Sequence, residues 1–264
     1  MSVTGASGRS ASPAVTRAAA ILTRLAAEPG RPVGPSELSR QVGVPKSTVL
    51  NVCAALVEAG LLSRSGEGYE LGGRLAELGH AYLAGVTEVE VFHRLCRERY
   101  PQTSRTVQLA VLGDGASAVY LARHDGRDPL HLGLAAEIGR SVPAYCTASG
   151  KALLAALDES GLATRVPADG ALEPATTASL STVDGLRDDL RATRDRGYAT
   201  EDGEIVDGLC CVGVAVRTPR RADGLVGLSF TSMRRAADDP ASTAAELREL
   251  AGVFAARIGG GLAY

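Results

Sequence analysis

The chain has 264 residues, 45 % of them hydrophobic and only 4 % aromatic, with no Trp. That length favours two domains over one small module, and small aliphatic side chains must fill the interior. No apolar run approaches the ~20 residues of a membrane span, and Met1 to Ser12 lacks the apolar stretch of a signal peptide. A cytoplasmic chain with a disordered tail over 1–12 and no membrane partner is expected.

The five cysteines, Cys53, Cys96, Cys146, Cys210 and Cys211, form no CxxC pair and are odd in number. This excludes a disulfide framework and a zinc ribbon, and no metal or cofactor is expected. The net charge of −2 conceals an asymmetry: residues 1–85 carry eight Lys/Arg against six Asp/Glu, and residues 86–264 carry twenty against twenty-four. Any attraction of the front third to a polyanion is weak in one copy, so useful affinity of that kind needs several copies acting together.

Pro13 to Ala27 repeats apolar residues (Ala14, Ala18, Ile21, Leu22, Leu25) at the helical period, and Pro29 to Pro32 breaks it. Pro35 to Leu56 then reads as two short helices around a tight turn. Ser36 is the expected cap of the first, Gly43 its left-handed stop, and Pro45 the first residue of the second. Val49, Val52, Cys53 and Leu56 fall on one inward face, with Cys53 a small hydrophobe. Lys46, Ser47, Thr48 and Asn51 are left outward at the helix start, which is what a major-groove reader presents. Leu61 to Leu71 folds back around Gly66-Glu67-Gly68 as a hairpin. Three helices and a hairpin make a winged helix–turn–helix over 13–71, with Arg64 on the wing within reach of a phosphate or the minor groove.

A connecting helix is expected over 72–85, with Leu75, Leu78 and Tyr82 on one stripe. From Glu88 onward helices and paired strands alternate: a helix to Tyr100, strands Arg105 to Val111 and Ser117 to Arg123 around Gly113-Asp114-Gly115, and a helix from Ser149. A second helix over Val183 to Gly197 follows, then strands Cys210 to Arg217 and Leu225 to Phe230, and a last helix over Ala241 to Ile258. Such a pattern gives an α+β domain around an antiparallel sheet over 86–264.

Five segments carry a resemblance: Val44 to Val49, Gly139 to Ala155, Gly197 to Glu204, Gly208 to Gly213 and Val226 to Thr231. In order and register, they resemble the signature of the IclR family of bacterial transcriptional regulators. The resemblance implies an α+β fold class in which an N-terminal winged helix–turn–helix is joined by a linker helix to a GAF/PAS-like effector-binding domain. It also implies a homodimer or dimer of dimers, double-stranded operator DNA as one partner, and a small-molecule effector, often an organic acid, as the other.

Ala148, Ser149, Glu201, Cys211, Ser229 and Thr231 match the family's effector-contacting positions. The residues make chemical sense of that role. Thr147 to Gly150 opens a helix whose free N–H groups suit an anion. Ser229 and Thr231, two apart, share one strand face, and Glu201 is expected from the loop before. Ser36, Lys46, Ser47, Thr48, Asn51 and Arg64 are the candidate DNA contacts. The chain departs from the family pattern at Tyr145, where His is common, and at Glu201, where Asp is common. It departs again at Leu50-Asn51, where a His or Arg pair is usual, leaving Asn51 as the adenine reader.

Two other functions compete. An enzyme using Cys211 or Ser149 as nucleophile needs a base beside it. His80, His93, His124 and His131 lie in no recognised site motif, and no GxSxG elbow occurs. A thiol redox sensor would use Cys210-Cys211 or Cys146, yet neighbouring strand residues point to opposite faces.

Overall fold

The computed structural model describes residues 11–125, 137–233 and 239–264; residues 1–10 of the expected tail, and His131, lie outside them. The chain divides into two compact units, Met1–Tyr82 and Leu83–Tyr264.

In the first unit, α1 (Pro13–Ala26), α2 (Pro35–Val42) and α3 (Lys46–Glu58) precede a hairpin of β1 (Leu62–Ser65) and β2 (Gly68–Leu71). Ile21 and Leu25 of α1, Leu38 of α2, and Val49, Cys53 and Leu56 of α3 close one apolar core with Leu62 and Tyr69 of the hairpin. Val33 exchanges two backbone hydrogen bonds with Tyr69, each 3.0 Å, and so bridges the outer edge of β2. Gly43 ends α2 at φ 72°, a left-handed conformation that glycine alone adopts without Cβ strain. The Ser39 hydroxyl donates to Val44 O at 2.6 Å and pins the turn. Helix α4 (Arg74–Ala84) follows with no buried residue, Leu78 and Tyr82 exposed along it.

The second unit begins with α5 (Thr87–Arg99) and is built on one antiparallel sheet. Its strands are β3 (Thr106–Leu112), β4 (Ser117–His124), β5 (Ser141–Pro143), β6 (Ala199–Asp202), β7 (Leu209–Arg217) and β8 (Leu225–Met233). They lie side by side in the order β5-β4-β3-β8-β7-β6, and the short β9 (Gly261–Leu262) also pairs with β7. Strand alternation gives the sheet two different faces. Val107, Leu109, Val212, Val214, Val216, Val226, Leu228 and Phe230 pack on α5 and on α9 (Pro240–Ile258). The opposite face carries Gln108, Tyr120, Cys211, Gly213, Ser229 and Thr231, and is covered by α6 (Ala148–Ala155) and α8 (Val183–Arg196).

Two elements differ from the sequence reading. Glu201 stands on an edge strand, β6, rather than in a loop, and a five-residue helix, α7 (Glu159–Ala163), precedes α8. Among the described residues no helix is long and apolar enough to cross a membrane, and no group of three or more His, Cys, Asp or Glu is placed to hold a metal ion.

Candidate functional site

In the first unit the outward residues of α3 stand where its helical phase puts them. Val49 and Cys53 face the core, so Lys46, Ser47 and Asn51 are exposed and Thr48 is half-buried. Burial pushes the Cys53 thiol up to about 11, which marks it as packing. Arg64 is exposed on β1 with its guanidinium 5.7 Å from the Tyr69 ring centre, a cation–π distance that props the side chain on the wing. Ser36 does not cap α2. Gly34 takes the extended cap position and Pro35 the first helical one, so Ser36 follows inside the helix with its side chain exposed. Pro45 likewise caps α3 instead of opening it.

In the second unit the six candidate effector residues come together on the polar sheet face and at the start of α6. Register places Glu201 opposite Cys211 and Cys211 opposite Thr231, while Ser229 lies between Gly213 and Gln108. Gly213 is what lets α6 approach: a Cβ there would collide with the Ala148 carbonyl and come within 2.6 Å of Ser149 N. Thr147 caps α6 by accepting from Gly150 N at 3.1 Å. The N–H groups of Ala148 and Ser149 have no acceptor among the described residues.

The sheet face supplies a chain of polar side chains. Cys211 Sγ lies 3.3 Å from Thr231 Oγ1, which donates to Gln108 Oε1 at 2.8 Å, and the Ser229 hydroxyl reaches the same oxygen at 3.5 Å. Glu201 Oε1 accepts from Glu204 N at 2.6 Å and Ile205 N at 3.2 Å. Two atoms of the set remain unsatisfied: Ser149 Oγ and Glu201 Oε2 are buried without a hydrogen-bond partner, in side chains only 1 % exposed. The Tyr120 hydroxyl stands beside Ser149 and the Cys211 thiol beside Glu201, the nearest polar side chains to these two atoms. Burial raises the Glu201 carboxyl above its ordinary value, favouring the neutral acid, which donates. Free N–H groups, hydroxyls and a carboxyl held toward its acid form make a donor-rich cluster whose chemistry suits an acceptor group such as a carboxylate.

Gln108 and Tyr120 join this cluster only through the fold. A lone Gln in the apolar run Thr106 to Leu112 was the available signal for the first. Beneath the site lies a second unforeseen group. Lys151 of α6 is 2 % exposed, and its Nζ lies 2.7 Å from Glu204 Oε1 and 3.2 Å from Asp189 Oδ2. Because Glu204 also gives its N–H to Glu201, this ion cluster sets the loop that holds the Glu201 carboxyl.

The thiols do not suit the competing chemistries. Burial, with the Glu201 carboxyl adding to it, pushes the Cys211 thiol well above its ordinary value, so a reactive thiolate is disfavoured. Cys210 points to the other face, 3.1 Å from Asp202 Oδ1, and burial also raises Cys146.

Comparison with known proteins fits this geometry. Sequence models described as the IclR helix-turn-helix domain and the bacterial transcriptional regulator IclR C-terminal domain match residues 14–66 and 80–254. The HTH-type transcriptional regulator Rv1719 of Mycobacterium tuberculosis is 34 % identical over 206 residues, covering 77 % of this chain and 76 % of that protein. The crystal structure of the Agobacterium tumefaciens repressor BlcR superposes with a TM-score of 0.58 at 30 % identity, covering 94 % of this chain and 98 % of that one. An IclR homolog from Microbacterium hydrocarbonoxydans, complexed with 4-hydroxybenzoate, shares the fold with a TM-score of 0.61 at 23 % identity, over 92 % of this chain and 99 % of that one. With more than half its length matched by the regulator's C-terminal model and its helix–turn–helix by a second, the chain belongs to the IclR family of bacterial transcriptional regulators and is not an enzyme.

Proposed function

We propose that the second unit senses a small carboxylate between the start of α6 and the polar sheet face, and that this binding changes the affinity of the first unit for operator DNA in the cytoplasm. In this reading Ala148, Ser149, Glu201, Cys211, Ser229 and Thr231 line the site together with Gln108 and Tyr120, whose positions on the same sheet face support the reading. The observation that carries the reading is the pair of buried, unpartnered atoms, Ser149 Oγ and Glu201 Oε2. Leaving a buried polar group unmet costs about 1–3 kcal/mol, and a ligand completing both recovers that cost on binding. The effector acts only as far as its affinity differs between two states of the chain.

A thermal-shift series with the full chain tests this, using 4-hydroxybenzoate and small aliphatic 2-oxo and 2-hydroxy acids as probes. A ligand at a hundred times its Kd adds about 2.7 kcal/mol of apparent stability, a shift of several degrees. Ser229→Ala is expected to weaken the responding acid about tenfold, the loss of one charge-assisted hydrogen bond, while DNA affinity stays the same. A flat series across the panel refutes the carboxylate reading.

On the DNA side, Ser36, Lys46, Ser47, Thr48, Asn51 and Arg64 are the proposed contacts. The modest positive charge of the front third calls for a homodimer or a dimer of dimers to reach useful affinity. In gel-shift or fluorescence titrations Asn51→Ala is expected to cost about 1–3 kcal/mol on the preferred operator and relax its sequence preference. Lys46→Ala is expected to weaken all duplexes alike and lower the salt slope by about one. Equal behaviour of the two variants contradicts these roles.

A further inference from the structure

The solvent face of α3 has a composition that bears on which base pairs it reads. Ser47, Leu50, Asn51 and Ala54 are all exposed and follow at i, i+3, i+4 and i+7, so they form one stripe along the helix. Lys46 stands at the N-terminal end of that stripe, and no Arg lies on it. Leu50 is 39 % exposed, while Val49 beside it and Leu38 of α2 are 0 % exposed. A branched apolar side chain is thus held in water next to the one amide on the stripe.

In the major groove, guanine is read by Arg or Lys on O6 and N7. Adenine is read by Asn or Gln on N6 and N7, and thymine is marked by its C5-methyl group, which takes apolar contacts. The stripe carries the second and third of these chemistries and, apart from the Lys at its end, lacks the first. Adenine and thymine methyl also lie together in an A·T-rich step, as Asn51 and Leu50 do on the helix.

We propose that Leu50 is a specificity residue that packs on the C5-methyl of a thymine next to the adenine bound by Asn51, with Ala54 leaving room for that contact, so that each half-site is centred on A·T pairs. The proposal rests on α3 being the helix that enters the major groove. Burying one methyl group strengthens binding about three- to fivefold.

The test selects preferred duplexes from a random pool with the full chain, then replaces each thymine of the preferred duplex by deoxyuridine, which removes the methyl group alone. One or two positions per half-site are expected to lose about three- to fivefold in affinity. Leu50→Ala is expected to bind the thymine and deoxyuridine duplexes equally while melting at the wild-type temperature, since the side chain is outside the core. Leu50→Met, which keeps an apolar tip, is expected to retain the discrimination. Selected half-sites centred on G·C, no deoxyuridine effect at any position, or an effect that survives Leu50→Ala would each overturn the role of Leu50. Failure to enrich any duplex would instead overturn the assignment of α3 as reading helix, and the proposal with it.

Discussion

Replacing Lys151 by Met is expected to destabilise the C-terminal unit by about 3–5 kcal/mol at neutral pH, the cost of breaking a buried ion pair from one side. Lys151 is 2 % exposed, and the carboxylates it holds, Glu204 at 2.7 Å and Asp189 at 3.2 Å, have side chains only 12 % and 21 % exposed. Met replaces the aliphatic stem with little loss of packing, so the penalty is electrostatic. In the variant the two carboxylates are left without their shared cation, and Glu204 Oε2, which has no hydrogen-bond partner, gains nothing in return. For a unit of this size the melting temperature should fall by roughly 6–20 °C.

The deficit should also depend on pH in a defined direction. Burial already raises the Glu204 carboxyl above its ordinary 4.5, and Lys151 is what opposes that rise. Without the cation the folded state holds its proton more tightly than the unfolded chain, so stability recovers as pH falls from neutral toward 4.5. Melts of wild type and Lys151→Met at pH 7.5 and 5.5 check both points, and a second change, Glu204→Gln, should restore most of the loss at pH 7.5. A deficit below about 1 kcal/mol, or one that acidification leaves unchanged, would show that the cluster is a solvated surface pair in solution.

How far the sequence reveals these features depends on whether their causes are local. The two turns of the first unit are written in their own residues: Gly43 takes the left-handed stop and Gly66 turns the wing. Likewise Ser229 and Thr231 share a face because strand geometry alternates, whatever surrounds the strand. Ser36 misleads because two local rules compete, and Pro35, favoured at the first helical position, moves the cap back to Gly34. Glu201 misleads for a different reason. Strand β6 has four residues, Ala199 to Asp202, and two of them are acidic, so no hydrophobic alternation announces it. It becomes a strand because β7 offers it an edge.

Lys151 was furthest from view. A lysine within a helix ordinarily faces water, and only the return of the chain at Asp189 and Glu204 gives it partners inside. Gln108 likewise gains its meaning from Ser229 and Thr231, more than a hundred residues later.

The second large effect concerns Glu201, where stability and effector binding pull in opposite directions. Its carboxyl is 1 % exposed, its Oε1 takes two backbone N–H groups, and its Oε2 has no partner. Burial raises its folded-state value above the ordinary 4.5, the Cys211 thiol and the two N–H donors oppose the rise, and the Glu204 charge adds to it. A raised carboxyl binds more protons in the folded chain than in the unfolded one. Its contribution is therefore present in full below about 4.5 and is lost as pH climbs through the folded value. Glu201→Gln removes that loss. Measured as variant minus wild type, stability is expected to grow steadily between pH 4.5 and neutrality, whatever constant offset the amide introduces.

The same substitution separates two kinds of ligand. A carboxylate accepts a hydrogen bond from the protonated acid, so its affinity for wild type should weaken as pH rises and Glu201 ionises. Gln keeps a neutral donor at that place, and the acid that responds in the thermal-shift series should bind Glu201→Gln with little pH dependence. Titration calorimetry across pH 5–8 reads both profiles. Should the variant lose the ligand at every pH, Glu201 would be acting as an acceptor, and the effector would be a molecule presenting a hydroxyl or ammonium donor to it.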